Sequence, residues 1–272
     1  MAEHAICFLH LPKAGGTSVR SRFLAAFEPN SVSPTVEGLP HERDPSAWST
    51  YGRYDFVSGH CGYEVYRDLG SRYHLVTNFR HPVARIVSLY DYWHNNTTKA
   101  QVRRIGKLNG PALARRMSFT EFVNSDEEAL KLYLRNAHAR QLLKTPWEYW
   151  QLVPADYLKL RRQIRRMHWY YVVEYKNLSE AWFQIRFPWL SAVELRSENV
   201  TRYKWRAKTK PTQADIETIL RHNRYDVAIY EYAVHLLQAR LRRPSFPLRN
   251  ALDAAGGPAL RIAQTRFNVP AE

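Results

Sequence analysis

The sequence contains very few cysteines, and their positions form no recognisable framework. Its 272 residues include only Cys7 and Cys61, too few for a disulfide scaffold and without the Cys-x-x-Cys spacing of a structural zinc site. We therefore expect a protein that needs neither disulfides nor a metal. Cysteine usage of this kind is typical of a reducing compartment, so the expected location is the cytoplasm.

Long apolar runs are missing as well. The first apolar stretch, residues 5–11, is interrupted by His10 and followed by Pro12 and Lys13, unlike the apolar core of a secretory signal. No window approaches the roughly 18 apolar residues that a membrane-spanning helix needs. We therefore expect neither a secretory signal nor a membrane span.

Negative charge is scarce relative to positive charge. The chain has 40 Lys and Arg residues against 25 Asp and Glu residues, a formal net charge of +15. Residues 101–170 alone carry 14 basic and 6 acidic side chains. This excess favours an anionic partner, and nucleic acid, a membrane surface, an acidic glycan and a phosphorylated nucleotide all fit it. Helix-turn-helix, RNP and zinc-finger patterns are absent, so charge alone supports nucleic acid.

Short apolar runs alternate with helical patterns along the chain. Strand-like segments occur at residues 5–11, 55–58, 73–79 and 169–174, and residues 98–168 are mostly helical and basic. Strands that alternate with helices predict an α/β domain with a mainly parallel sheet. We expect one domain over residues 1–243 and a poorly patterned C-terminal tail over residues 244–272.

A glycine turn joins the first predicted strand to the first predicted helix. Glycines allow a tight turn that presents several backbone N–H groups to one anion, and the helix N-terminus adds positive potential. Lys after the last glycine would mark a Walker A loop; here Lys comes first, which disfavours an ordinary nucleoside triphosphatase. A simple turn with a capping hydroxyl is the alternative. The residues expected to contact a phosphate are Lys13, Ala14, Gly15, Gly16, Thr17 and Ser18.

A second candidate anion site follows the third predicted strand. Arg80 stands at the carboxyl end of that strand, where α/β domains bind ligands. Its guanidinium can donate two parallel hydrogen bonds to a phosphate. Ser88, on the polar side of the next helix, offers a hydroxyl to the same group. Taken alone, each residue has a simpler interpretation as an exposed surface residue.

Together the two sites resemble the cofactor elements of one enzyme family. HLPKAGGTS and FRHPVARIVSLY are similar to the 5′- and 3′-phosphate elements of sulfotransferases that use 3′-phosphoadenosine 5′-phosphosulfate (PAPS), above all the heparan sulfate and dermatan sulfate 2-O-sulfotransferase family. Ala14 stands where the family usually has Thr, and His81 where it has Asp. Weaker likenesses occur at residues 136–140, 199–201 and 223–230.

The resemblance implies a single P-loop-kinase-like α/β domain that uses PAPS as co-substrate without a metal. It also implies a catalytic base, because residues 56–60 are similar to the family's strand that ends in Gly-His. Lys13 can neutralise the leaving 5′-phosphate oxygen, and His60 can accept the acceptor proton because imidazole titrates near neutral pH. Glu64 is the alternative base. The two phosphate elements should then meet at one crevice.

The acceptor is open at this point. A carbohydrate hydroxyl is favoured, while a protein tyrosine or a small metabolite would use the same cofactor and give the same product, 3′-phosphoadenosine 5′-phosphate (PAP). A basic nucleic-acid-binding module is the alternative from another class. The basic residues at 161–166 fit either an acidic acceptor or a solvated helix face, and those at 202–208 resemble a late loop over the nucleotide. The sequence does not indicate the oligomeric state.

Overall fold

Four short parallel strands form the central sheet of the protein. The computed structural model describes residues 5–36, 50–105, 109–190 and 209–242. Within these ranges the strands lie in the order β2-β1-β3-β4, with every neighbouring pair parallel and with helices flanking the sheet. They are β1 (Ala5–Leu9), β2 (Phe56–Gly59), β3 (Tyr73–Phe79) and β4 (Trp169–Val172). The predicted α/β class with a mainly parallel sheet is confirmed.

The strands form where the sequence has short apolar runs. Nearly all strand residues are buried, as expected for parallel strands covered on both faces. β4 ends earlier than the predicted strand at residues 169–174 because a 3-10 turn begins at Val173. β1 and β3 pair from Ala5↔Tyr73 to Leu9↔Thr77, so the segments that follow them meet at one edge. We call this edge the carboxyl edge.

Twelve α-helices lie within the described ranges. They are α1 (Gly16–Leu24), α2 (Tyr63–Leu69), α3 (Pro82–Asn96), α4 (Lys99–Ile105), α5 (Gly110–Arg116), α6 (Phe119–Asn124), α7 (Glu128–Leu134), α8 (Ala137–Leu143), α9 (Pro154–Arg166), α10 (Lys176–Arg186), α11 (Gln213–His222) and α12 (Arg224–Leu241). In this part of the chain no helix has both the length and the apolar character to cross a membrane. The predicted tail at 244–272, the basic residues 202–208 and the weak likeness at 199–201 lie outside the described residues.

Two apolar clusters hold these elements together. The larger one surrounds the sheet, and its fully buried aromatic side chains include Phe8, Phe23, Phe56 and Trp169. Burying one such side chain contributes about 1.5–3 kcal/mol. The smaller cluster packs one side of α3 against α5, α6, α7 and α11. This packing leaves Ser88, Asp91 and Tyr92 on the less buried side of α3.

Tyr170→Phe is expected to lower the free energy of unfolding by about 1 kcal/mol. The Tyr170 ring is buried in β4, and its hydroxyl donates to the Ala233 carbonyl of α12 at 2.7 Å. Urea denaturation measures the change. Tyr149→Phe is the control, because Tyr149 is 43% exposed and should unfold as the wild type does. Equal losses in the two variants would contradict a stabilising role for the Tyr170 hydroxyl.

Candidate active site

The turn after β1 has an unusual backbone that β3 holds in place. Lys13 and Gly15 have φ angles of 64° and 77°, a region that Gly adopts readily and Lys rarely. The buried Asn78 side chain donates to the carbonyls of Leu11 at 3.0 Å and Ala14 at 2.8 Å. Its amide oxygen accepts from the Leu11 N–H at 2.9 Å. Asn78 therefore fixes the turn at the carboxyl edge.

The first turn of α1 faces the same edge. Gly15 is the N-cap residue, and no side chain caps the helix. Gly15 and Thr17 are exposed and Ser18 is half-buried, whereas Ala14 and Gly16 are buried. The first N–H groups of a helix lack intrahelical partners and carry positive potential. Backbone N–H groups and the Thr17 hydroxyl are thus available to an anion, and the buried Ala14 contributes backbone only.

Arg80 reaches this turn from the end of β3. Its guanidinium donates to the Lys13 carbonyl at 3.1 Å, although the two residues are 67 positions apart in the chain. The Arg80 Nε and the His81 Nδ1 are buried and have no hydrogen-bond partner among the described residues. An unsatisfied buried polar group costs about 1–3 kcal/mol.

The Lys13 ammonium lies against α3. Its Nζ is 3.9 Å from the centre of the Tyr92 ring, a cation–π contact. Burial and the neighbouring Arg80 lower the pKa of Lys13 to about 8, while Asp91 opposes this shift. Ser88 precedes Tyr92 by one helical turn and so shares its face of α3. The structure therefore brings Lys13, Arg80 and the Ser88 face of α3 together at the carboxyl edge, and we call the region between them the crevice.

A carboxylate stands near Arg80 and was not indicated by the sequence. Glu174 follows β4, accepts from the His81 N–H at 3.2 Å and accepts from the Tyr230 hydroxyl at 3.2 Å. Burial raises the pKa of Glu174, and the hydrogen bonds and Arg80 oppose that rise. Burial also lowers the pKa of His81 to about 4, so His81 is neutral at pH 7. Glu174, and not the neighbouring His81, therefore supplies the carboxylate beside Arg80.

His60 lies at the carboxyl edge beside a second histidine. It follows β2, is partly buried, and its ring centre is 4.6 Å from that of His10. The His10 N–H donates to the Gly59 carbonyl at 2.9 Å. A Cβ added at Gly16 would stand 2.0 Å from His10 Cδ2, so the His10 ring also packs on the start of α1. His10 was not identified as a site residue from the sequence, where it is noticeable only because it interrupts an apolar run.

Glu64, the alternative base, has its contacts elsewhere. Its N–H donates to the Lys144 carbonyl at 3.2 Å, and its carboxylate is hydrogen-bonded to Thr145. Burial raises the pKa of Glu64, while Thr145 and the charge of Lys144 oppose the rise. Both partners belong to the segment after α8. Of the two candidate bases, His60 is the one whose ring contacts His10 beside the turn.

A buried polar cluster lies beneath the turn. Asp226 of α12 accepts from the N–H groups of His138 at 3.2 Å and Ala139 at 2.8 Å. It also interacts with the buried guanidinium groups of Arg85 and Arg140. The His138 side chain in turn bonds the backbone of Pro12. This cluster therefore connects α8 and α12 to the segment that carries Lys13.

Two asparagines complete the same cluster. Asn136 has a φ angle of 47°, and its side-chain oxygen accepts from the N–H groups of Tyr225 at 3.0 Å and Asp226 at 3.2 Å. The Asn136 N–H donates to the Asn223 side chain at 2.9 Å. The segments 136–140 and 223–230, which carry two of the weaker likenesses, are thus joined by hydrogen bonds.

Comparison with known proteins gives no family for the chain. No protein-family model matches the sequence, and no curated protein is significantly similar to it. Within the described ranges, no group of three or more His, Cys, Asp or Glu side chains is suited to a metal ion. The function is therefore inferred from the residues of the crevice.

Proposed function

We propose that the protein is a cytoplasmic sulfotransferase with a P-loop-kinase-like domain, which transfers a sulfuryl group from PAPS to a carbohydrate hydroxyl. The observation that carries this proposal is the meeting of the Lys13 turn and Arg80 at one crevice, with Arg80 bonded to the Lys13 carbonyl at 3.1 Å. PAPS has phosphate groups on the 5′ and 3′ positions of one ribose. Two cationic sites close together are what such a nucleotide requires.

The crevice has groups suited to each of these phosphates. The uncapped start of α1 offers backbone N–H groups to the 5′ side. The guanidinium of the partly buried Arg80, whose Nε has no partner within the described structure, is suited to the 3′ side. Ser88 is half-buried on the adjoining face of α3 and adds a hydroxyl donor. The residues present therefore fit the nucleotide.

Lys13 and His60 would carry the chemistry. When bound, PAPS supplies the sulfuryl group, whose bond to the 5′-phosphate oxygen breaks as the acceptor oxygen bonds to sulfur. His60 takes the proton of the acceptor hydroxyl, and Lys13 neutralises the charge that grows on the leaving oxygen. Lys13 is partly buried while the Tyr92 ring is half exposed, so their cation–π contact contributes about 0.5–2 kcal/mol. A charge-assisted hydrogen bond contributes about 1.5–3 kcal/mol, so Lys13 can leave Tyr92 for the phosphate.

Radiolabelled PAPS and a panel of acceptors test the proposal. We expect calorimetry to give micromolar or tighter binding of PAP, and we expect label transfer to glycans in preference to tyrosine peptides and small metabolites. Transfer of label to peptides or metabolites would support PAPS as the co-substrate but would replace the carbohydrate as the acceptor. Absence of PAP binding would remove the proposal. Binding of random duplex DNA with an affinity that falls steeply as the salt concentration rises would instead favour the nucleic-acid-binding alternative.

Arg80→Lys should lower the affinity for PAP about tenfold to a hundredfold. Lysine keeps the charge but loses the planar fork and its two parallel hydrogen bonds. Affinity for adenosine 5′-phosphate, which lacks the 3′-phosphate, should change little, as calorimetry would show. Arg67→Lys is the matched control, because Arg67 is exposed on α2 and pairs with Asp68. Equal losses for both nucleotides would mean that Arg80 contacts something other than the 3′-phosphate.

A further inference from the structure

His10 contacts both halves of the proposed catalytic machinery. Its ring fills the space where a side chain on Gly16 would stand, with Cδ2 and Nε2 at 2.0 and 2.2 Å from an added Cβ. The same ring is 4.6 Å from the His60 ring, centre to centre, at an interplanar angle of 45°. One side chain therefore touches the start of the phosphate-binding helix and the candidate base.

His10 is held in place through both its ring and its backbone. It stacks on Phe8 with the ring centres 5.4 Å apart and an interplanar angle of 10°. The backbone N–H of His10 donates to the Gly59 carbonyl at 2.9 Å. Gln141 of α8 donates to the His10 carbonyl at 3.2 Å and to the Cys61 carbonyl at 2.7 Å. These contacts tie the end of β1 to Gly59 and Cys61, the residues before and after His60.

The surroundings of His10 also keep its ring uncharged. Burial lowers the pKa of His10 to about 3, and His60, Arg20 and Lys13 add to this shift. Arg20 of α1 contributes a cation that is bonded to the Ser58 hydroxyl at 3.1 Å. His10 therefore does not exchange protons near neutral pH, which distinguishes its role from that of a base.

We propose that His10 is a positioning residue that sets the orientation of the His60 ring relative to the turn at residues 12–18. This inference rests on the proposed sulfotransferase function. A buried, neutral ring that is packed on Gly16 on one side and on His60 on the other holds the base at a fixed distance from the anion site. A misplacement of about 1 Å in a catalytic group can cost about a hundredfold in rate, so this packing has a measurable effect.

The test is a double-mutant cycle on sulfuryl transfer. His10→Ala should lower kcat about tenfold to a hundredfold and leave the Kd for PAP within about twofold. His10→Gln, which keeps a planar polar group of similar length, should restore most of the rate. In the His60→Ala background, His10→Ala should have no further effect, because a residue that acts only through His60 loses its effect with it. His74→Gln is the control, since His74 stacks on His168 at 3.8 Å near the opposite edge of the sheet.

Gly16→Ala provides a second variant that leaves His10 in place. Its methyl group would stand 2.0 Å from His10 Cδ2 and should displace the ring, lowering kcat. The loss should shrink in the His10→Ala background, where the methyl group has room. A loss of the same size in both backgrounds would count against the proposal. The proposal would also be contradicted if His10→Ala lowered kcat further in the His60→Ala background. Loss of cooperative unfolding in both His10 variants would contradict it as well.

A spectroscopic measurement separates this inference from the proposed function. Removing the His10 ring should shift the NMR resonance of the His60 Cε1 proton, because the ring centres are 4.6 Å apart. A protein that transfers no sulfuryl group to any acceptor would refute the proposed function in the radiolabel assay. An unchanged His60 resonance in His10→Gln would instead refute the positioning contact.

Discussion

Replacing His60 with Ala should lower kcat about 10²–10⁴-fold while the Kd for PAP and the unfolding temperature stay close to wild type. The residue lies at the end of β2, is only partly buried, and contacts the His10 ring at 4.6 Å. Its removal takes away the proposed proton acceptor without opening the apolar cluster around the sheet. Steady-state kinetics with PAPS, calorimetry with PAP and a thermal melt give the three quantities.

Glu64→Gln is the comparison that assigns the base. Its carboxylate is bonded to Thr145 in the segment after α8, so this variant should turn over at a rate close to wild type. A large loss in Glu64→Gln together with normal turnover in His60→Ala would reverse the assignment. Loss of PAP binding and of stability together in His60→Ala would make His60 a structural residue.

The wild-type kcat/KM should fall as pH rises through about 8, where burial and Arg80 place the pKa of Lys13. Only the protonated ammonium can neutralise the leaving oxygen, so activity is present below this pH and is lost above it. The kcat/KM profile reports groups of the free enzyme. Bound anionic nucleotide favours the charged form of Lys13, so the same limb in the kcat profile should lie at higher pH.

Two substitutions identify the group behind this limb. Lys13→Arg should keep the cation and remove the limb, since a guanidinium stays protonated. Lys13→Met should lower kcat by about 10²–10³-fold, the usual effect of losing one contact to a developing oxyanion. A limb that is unchanged in Lys13→Arg would belong to another group. Full activity in Lys13→Met would exclude the proposed role.

The parts of the fold that were predictable are those encoded by local sequence. β1, β2 and β3 coincide with short apolar runs, and the turn at residues 12–18 with its glycines. The strand order β2-β1-β3-β4 is not encoded locally, because it depends on which helix covers which face. For the smaller apolar cluster around α3, the sequence showed helical spacing of apolar residues but not which helices pack against each other.

The candidate site was predictable to a similar degree. Lys13, Arg80 and His60 stand directly after strands, where α/β domains place ligands. Asn78 and Glu174 could not be assigned, because their roles come from the pairing of β1 with β3 and of β3 with β4. His10 occupies a similar position after β1, yet its interruption of an apolar run gave no indication that Gly16 leaves space for its ring.

The connection between Asp226 and the Lys13 turn has a consequence for how the protein is made. Asp226 belongs to α12 (Arg224–Leu241), whereas Lys13 and β1 are synthesised at the start. A ribosome that adds about 5–20 residues per second needs about 10–40 s to reach α12 after completing the turn. During that interval the segment around Pro12 lacks the support of Asp226, and for roughly the first half of it the segment also lacks His138. A nascent chain therefore completes the support of the proposed anion site only after α12 has emerged.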